Sequence, residues 1–181
     1  MAHVVLKWKL FKFAKMITAI LLNKFDCFVV IEGGTGIGKS TLAIQIANQV
    51  AKEFKKMYSL EEETIEYYFN QTQTYEAEDF VQTILKLKKE EAYNFKVKNN
   101  IGYNRNDMQK LLSSWHQIGI SDEMINTAHN RDFWNEDQKN IVKMINMFRD
   151  HQNLIIACIP HFNVMDNQMK NLCKIRLSVI R

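Results

Sequence analysis

The sequence predicts a three-layer α/β domain with a mostly parallel central sheet, and two stretches carry most of this prediction. Residues 29–41 read as an apolar strand, a glycine-rich loop and the start of an amphipathic helix. Residues 153–161 form a nearly continuous apolar run, which is typical of a strand buried on both faces. Strands that are separated by helical segments favour parallel pairing, with their carboxyl ends meeting at one crevice.

The glycine-rich loop has the chemistry of a phosphate-binding site. Residues 33–40 match the P-loop pattern G-x-x-x-x-G-K-[ST], and four of the six glycines of the chain lie in residues 33–38. Glycines let several backbone N–H groups approach a polyphosphate, and the N-terminus of the following helix adds partial positive charge. We therefore expect Lys39 to reach the β- and γ-phosphates of ATP, and the Ser40 hydroxyl to bind Mg²⁺. The predicted nucleotide-binding residues are Gly33, Gly34, Thr35, Gly36, Ile37, Gly38, Lys39, Ser40 and Thr41.

A second stretch with catalytic chemistry ends in two carboxylates. Residues 115–121 are expected to form a strand, interrupted by polar residues, and Asp122 and Glu123 follow it. Asp122 is predicted to hold the Mg²⁺ shell, and Glu123 to polarise the water that attacks the γ-phosphate. We expect this strand to lie directly beside the P-loop strand. The alternative interpretation is that residues 121–123 form the acidic N-terminus of a helix.

Two further polar residues are candidates for contact with the nucleotide. Arg131 is predicted to stabilise charge on the phosphates of its own or a neighbouring subunit's nucleotide, the alternative being an ordinary surface arginine. His161 follows the buried run at 153–160 and is a candidate sensor of the γ-phosphate. We assign no role to His129 because it has no cysteine or histidine at metal-binding spacing.

Composition is that of an ordinary globular protein, with 46% hydrophobic and 24% charged residues. The three cysteines are far apart in sequence, which predicts reduced thiols rather than disulfides or a zinc site. The apolar run at residues 16–22 is too short to cross a bilayer, and no cleavage signal follows it. We expect a cytoplasmic protein with a basic, aromatic N-terminal arm and helix (residues 1–24) and one ATPase domain (residues 25–181). The alternative to a complete protein is a fragment of a longer chain.

Charge is distributed unevenly along the chain. Residues 1–25 contain five lysines and no acid, and residues 167–181 contain four basic residues and no acid. Because the net charge is only +4, the middle of the chain is acidic. Basic ends are consistent with a nucleic-acid partner, but a charge pattern this weak is more often an ordinary solvated surface.

The remaining pattern gives the order of elements. The predicted helices cover residues 13–23, a P-loop helix ending near 55–56, residues 76–91, one or two turns at 108–112, and a helix that starts at Asn135; the predicted strands cover 25–32, 64–69 and 172–180, and residues 94–107 are expected to form a loop.

Together these residues resemble the P-loop ATPases of viruses and mobile elements, which include DNA-packaging motors and zonula-occludens-toxin-like ATPases related to the FtsK and HerA translocases. The resemblance rests on residues 33–41, Asp122-Glu123, 131–134, 153–160, Asp166 and 174–176. It implies a P-loop NTPase domain of the ASCE or RecA-like type, and ATP hydrolysis by a ring-shaped homo-oligomer that moves or packages DNA. It also makes Arg131 or Arg176 a candidate for acting on a neighbouring subunit's nucleotide.

Two other classes of function remain open from the sequence. Residues 30–33 before the loop also resemble a nucleoside or nucleotide kinase, although the five arginines are isolated rather than clustered as a kinase lid needs. The third interpretation is a nucleotide-binding regulator or assembly factor with little turnover.

Overall fold

The computed structural model describes residues 10–23, 25–58, 93–103, 105–122, 143, 145–147, 149–165 and 167–180. The strands are β1 (Cys27–Glu32), β2 (Ile101–Gly102), β3 (Ile118–Ser121), β4 (Leu154–Ile159) and β5 (Ile175–Ser178). The helices are α1 (Leu10–Leu22), α2 (Lys39–Tyr58), α3 (Val97–Asn100), α4 (Arg105–Ser113) and α5 (Asn167–Leu172), with 3₁₀ turns at Arg149–His151 and Phe162–Val164. The strand predicted at 64–69, the helix at 76–91 and the start of the helix at Asn135 lie outside the described residues.

The five strands of the described residues form one sheet in the order β2-β3-β4-β1-β5, and every pair in it is parallel. This confirms the predicted α/β fold with a mostly parallel sheet. Because the strands are parallel, all their carboxyl ends lie at one edge of the sheet. The end of β1, where the glycine loop begins, is therefore on the same edge as the ends of β3 and β4.

The predicted adjacency of β3 and β1 is wrong. Strand β4 lies between them, with Leu154 in register with Cys27 on one side and with Ile118 on the other. Neighbouring strands are about 4.8 Å apart, so the insertion separates the two site-bearing strands by roughly twice that distance. The sequence pattern reveals that a strand is buried but does not specify which strand it pairs with.

Helices cover both faces of the sheet. Val29 and Ile31 of β1 belong to a core that includes α1 and α2, whereas Phe28 and Val30 point to a second core with α4 and α5. This alternation follows from the two-residue period of a strand. In α2 the predicted stripe is confirmed at Ile46, Val50 and Phe54, which are buried; Leu42 is half-buried.

Helix α1 confirms the helix predicted at 13–23, although it begins earlier, at Leu10. Its buried face includes Phe13, Ile17 and Leu21, spaced as one face of a helix requires. These side chains belong to the same core as α2 and β1. Among the described residues, no helix is long and apolar enough to span a membrane.

The loop predicted at 94–107 is wrong for most of its length. It contains α3, the edge strand β2 and the first turn of α4. The buried Asn100 side chain accepts a hydrogen bond from the Lys96 N–H at 2.9 Å and donates to the Ile118 carbonyl at 2.8 Å. This amide therefore links the start of the edge strand to β3. The sequence prediction treated Asn100 as a loop residue because asparagine is polar and common in loops.

The other strand predictions that fall on described residues are confirmed, with shorter bounds. All six residues of β4 are buried, as the apolar run predicts. In β5 the half-buried Ile175 and Leu177 alternate with exposed residues. The polar residues that interrupt the expected strand at 115–121 lie mostly before β3, which contains only Ile118–Ser121. Among the described cysteines, all are free thiols, and Cys27 and Cys158 are buried.

Candidate nucleotide-binding site

The loop between β1 and α2 has the backbone conformation that its glycines predict. Gly33, Gly36 and Gly38 have φ values of 152°, 75° and 94°, which side chains other than glycine rarely adopt. The Leu42 N–H donates to the Gly38 carbonyl at 2.9 Å and closes the first turn of α2. Gly34, Thr35, Gly36, Gly38 and Thr41 are exposed, whereas Ile37 is half-buried. The loop is therefore open to solvent where a phosphate would approach.

Gly33 is fixed by close packing as well as by its backbone angle. Its N–H is shared between the carbonyls of Ile159 and Pro160, both at 3.2 Å. A Cβ at this position would collide with Ile37 and would lie 2.8 Å from the Val179 carbonyl. The first residue of the loop thus lies between the end of β4 and the end of β5.

Lys39 lies across the loop. Its Nζ donates to the carbonyls of Gly33 at 2.8 Å and of Gly34 at 2.9 Å. The ammonium group is therefore held over the loop by neutral acceptors. Phosphate oxygens bound in the loop would be stronger, charged acceptors for the same donor.

Ser40 and Asp122 meet although 81 residues separate them in the chain. The Ser40 Oγ donates to Asp122 Oδ1 at 2.8 Å, and both residues are half-buried. Ser40 is in the first turn of α2, and Asp122 follows the last residue of β3. The structure therefore brings together the two residues predicted to hold Mg²⁺, even though β4 separates their strands.

The donor set at this point fits Mg²⁺. One hydroxyl and one carboxylate are hard oxygen ligands, and Mg²⁺ in nucleotide sites takes one or two such ligands and completes its shell with water and phosphates. Among the described residues there is no cluster of three or more histidine, cysteine or acidic side chains that could form an all-protein metal cage. Ser40 and Asp122 are thus suited to a metal that arrives with a polyphosphate.

Cys158, in β4, lies beside this pair. Burial, together with the nearby Asp122 carboxylate, raises the pKa of its thiol to about 12, although Lys39 and the Ser40 hydroxyl act in the opposite direction. The thiol is therefore neutral at physiological pH. A neutral thiol is a poor ligand for Mg²⁺ and leaves the site to the oxygen donors.

Glu32, the last residue of β1, is the most extensively bonded carboxylate near the loop. Its Oε1 accepts from Arg176 Nε at 2.7 Å, and the Ser178 hydroxyl donates to the same oxygen; its Oε2 accepts from the Phe162 N–H at 2.8 Å. Burial alone would raise the pKa of Glu32, but the hydrogen bonds from Ser178, Phe162 and Arg176 outweigh it and lower the pKa below its usual value. The residue on which the kinase interpretation partly rests is therefore bonded within its own chain.

The remaining predicted site residues have mixed outcomes. Glu123 and Arg131 lie outside the described residues, so their assigned roles stay predictions. His161 is exposed and directly precedes the 3₁₀ turn after β4. Arg176 is bonded to Glu32 at 2.6 Å through its terminal nitrogen and stacks over the Phe162 ring at 4.3 Å. Its side chain is 49% exposed, and its predicted action on a neighbouring subunit's nucleotide stays a prediction.

Sequence reasoning missed the partners of Glu32 and the position of Cys158. An acid at the end of a buried strand signals that a partner must exist, because burial of an unpaired charge is costly. The partners, however, are 130 to 146 residues further along the chain. Only the strand order brings them to Glu32.

One similarity to a solved structure, at low sequence identity, supports the fold. No family model matches the sequence, and no curated protein matches it. A chain in the structure of the HORMA:CdnC:Trip13 complex of E. coli MS115-1 superposes with a TM-score of 0.51 at 12% identity, covering 94% of this chain and 61% of that one. C. elegans PCH-2 superposes with a TM-score of 0.48 at 12% identity, covering 94% of this chain and 41% of that one. The chain thus spans less than two thirds of the length of these structures.

Proposed function

We propose that this protein is a P-loop NTPase that binds ATP with Mg²⁺ at residues 33–41 and hydrolyses it. The observation that carries the proposal is the 2.8 Å hydrogen bond between Ser40 and Asp122. A P-loop alone indicates phosphate binding. A carboxylate held at the end of a second strand, against the loop's own serine, is the arrangement that P-loop hydrolases use for Mg²⁺.

Each residue has a defined part in this proposal. Lys39 exchanges its two carbonyl acceptors in the loop for oxygens of the β- and γ-phosphates. Ser40 and Asp122 would hold the Mg²⁺, which would supply positive charge to neutralise the phosphates. Glu123 follows Asp122 in sequence and is proposed to orient and polarise the attacking water. Arg131 is proposed to stabilise the charge of the transition state.

A DNA-translocating or DNA-packaging ring is the proposed use of the hydrolysis. The support in the structure is a basic surface on α1 and the last turns of α2, here called the lysine face and defined by Lys12, Lys15, Lys52, Lys55 and Lys56. Helix α1 contains no acid, and the single acid of α2, Glu53, is buried and bonded to Gln49 and Lys56. The Nζ atoms of Lys15 and Lys56 lie 4.6 and 5.3 Å from the centre of the Phe11 ring. Such a surface suits a phosphate backbone.

The test is phosphate release from ATP by the purified protein, with and without double-stranded DNA. Lys39→Ala and Glu123→Gln are the site variants, and Lys110→Ala, on the exposed surface of α4, is the matched control. We expect DNA-stimulated release that both site variants abolish and the control retains. Light scattering of the same samples with ATP tests the expected ring.

Two results would contradict the proposal. Absence of release, together with ADP formation only when nucleosides or nucleoside monophosphates are added, would assign the site to a kinase. Tight ATP binding with no turnover in either assay would assign it to a nucleotide-binding regulator.

A further inference from the structure

We propose that Glu32 is a positioning residue that holds the segment carrying His161 against the start of the phosphate loop, and so sets the preference of the site for ATP over ADP. This inference rests on the proposed ATPase function and concerns the same site. It goes beyond that function because it assigns a role to Glu32, the acid directly before the loop.

The backbone on both sides of His161 is fastened to the first residues of the loop. Before His161, the carbonyls of Ile159 and Pro160 accept from the Gly33 N–H. After His161, the Phe162 N–H donates to Glu32 Oε2 at 2.8 Å. His161 is therefore flanked by two hydrogen-bonded contacts, one to the Gly33 N–H and one to Glu32, and Glu32 and Gly33 are adjacent in sequence. Only the contact with Glu32, here called the anchor, depends on a side chain.

The other oxygen of Glu32 explains why this anchor is rigid. Oε1 accepts from Arg176 and Ser178 of β5, while the Arg176 guanidinium stacks over the Phe162 ring at 4.3 Å. The carboxylate thus joins β1, β5 and the turn after β4. The bond at Oε2 acts directly on the backbone of the His161 segment, whereas Oε1 reaches that segment through Arg176 and its contact with the Phe162 ring.

The consequence concerns the terminal phosphate. The loop binds phosphates that ATP and ADP share, and Lys39 contacts the β-phosphate of both nucleotides and the γ-phosphate of ATP. A side chain past the end of β4 lies at the crevice where the γ-phosphate would project, so it adds a contact that only ATP can make. If Glu32 positions His161 there, loosening the segment weakens ATP binding and turnover but leaves ADP binding intact. A purely structural role would weaken the binding of both nucleotides or of neither.

The first test compares ATP and ADP affinity, kcat and melting temperature in the wild type and in Glu32→Gln. The amide keeps the size of the side chain but replaces one acceptor oxygen with a donor, and it removes the charge that pairs with Arg176. We expect kcat to fall about tenfold or more and the ADP affinity to stay within about twofold, because a hydrogen bond to a charged group is lost. His161→Ala should change the ATP:ADP affinity ratio in the same direction, and the double variant should add little.

A pair of variants separates the anchor from general stability. Phe162→Pro removes the N–H that donates to Glu32, and the extended backbone of His161 (φ −145°, ψ 134°) is compatible with a following proline. Phe162→Ala loses the ring but keeps the N–H, so it is the matched control. We expect the proline variant, but not the alanine variant, to lower the ATP:ADP affinity ratio. If Glu32→Gln fails to fold, these two variants still show whether the contact between the Phe162 N–H and Glu32 sets the ATP:ADP affinity ratio.

Glu53→Gln is the control for loss of a buried carboxylate, since Glu53 accepts from Gln49 and Lys56 of its own helix and lies more than three helical turns beyond the loop. The inference is overturned if Glu32→Gln and Phe162→Pro lower the melting temperature but keep the wild-type ATP:ADP ratio and kcat. If the wild type binds no ATP at all, the proposed function itself is wrong. If the wild type binds and hydrolyses ATP but the variants keep its ATP:ADP ratio and kcat, only the role of Glu32 is wrong.

Discussion

At the scale of single residues, the loop and its neighbourhood differ in how far the sequence specifies them. The glycines, Lys39 and Ser40 were predictable because the motif is local and each residue type has one physical reason to be there. The bonds of Glu32 to Phe162, Arg176 and Ser178 were not predictable, because they join positions more than a hundred residues apart. Burial of an acid indicates that it has hydrogen-bond or charged partners, but the sequence does not show which residues they are.

Gly33→Ala should destabilise the protein by about 1–3 kcal/mol, because the new Cβ overpacks Ile37 and the Val179 carbonyl. The backbone angle of 152° adds strain to this clash. Gly34→Ala is the matched control: its Cβ would meet only Ile37, at an ordinary 3.9 Å, and we expect a change within about 0.5 kcal/mol. Urea unfolding of both variants measures the difference, and equal stabilities would contradict the packing described for Gly33.

Glu32 should make stability depend on pH in the acid range. Since its folded-state pKa is lowered below the usual 4.5, the charged carboxylate stabilises the fold above that pH, and this stabilisation is lost as pH falls through the folded pKa. The difference in unfolding free energy between wild type and Glu32→Gln should therefore be largest at neutral pH and shrink below pH 4.5. A difference that is constant from pH 7 to the acid limit of folding would contradict the ionic role of Glu32.

At the scale of elements, long periodic segments were predictable and the short edge segment was not. The apolar stripe of α2 and the uninterrupted run of β4 each extend far enough to reveal their period. Strand β2 contains only two residues, so it has no period to detect. It pairs with β3, and the buried amide of Asn100, directly before it, adds a hydrogen bond to the same strand; the residue type of Asn100 alone suggests a loop.

Asn100→Ala should destabilise the protein by about 1–3 kcal/mol, because the Ile118 carbonyl and the Lys96 N–H lose their side-chain partner. Asn99→Ala removes the same group from the neighbouring exposed position and should change stability by no more than about 0.5 kcal/mol. Hydrogen exchange should also show faster exchange in α3 and β2 in the first variant alone. Unchanged protection there would argue against the role of Asn100.

At the scale of the whole molecule, the class of fold was predictable but the order of the strands was not. Alternating strand and helix patterns predict a parallel sheet, and such a sheet gathers its strand ends at one edge. That rule was sufficient to predict the meeting of Ser40 and Asp122, although β4 lies between β1 and β3. The charge pattern of the sequence likewise indicated a basic region, and packing of α1 on α2 gathers part of it into the lysine face.

Reversing two charges on the lysine face should weaken DNA binding in a salt-dependent way. For Lys52→Glu/Lys55→Glu we expect the slope of log K against log salt to become less steep by about 2, since roughly one ion is released per phosphate contact. Lys98→Glu/Lys110→Glu, at exposed positions on α3 and α4, is the matched control and should alter the slope much less. Equal slopes for the two double variants would place any DNA contact elsewhere.

The most direct measurement of the central claim is calorimetric titration of a non-hydrolysable ATP analogue with Mg²⁺ or with EDTA. We expect the wild type to bind in a Mg²⁺-dependent manner, and Lys39→Ala to bind at least about tenfold more weakly, because charge-assisted hydrogen bonds to the phosphates are lost. Asp122→Asn should remove most of the Mg²⁺ dependence, while Asp107→Asn, a carboxylate of α4 that caps the Tyr103 N–H, should preserve it. Wild-type affinity and Mg²⁺ dependence in both Lys39→Ala and Asp122→Asn would contradict the assignment of this loop as the nucleotide site.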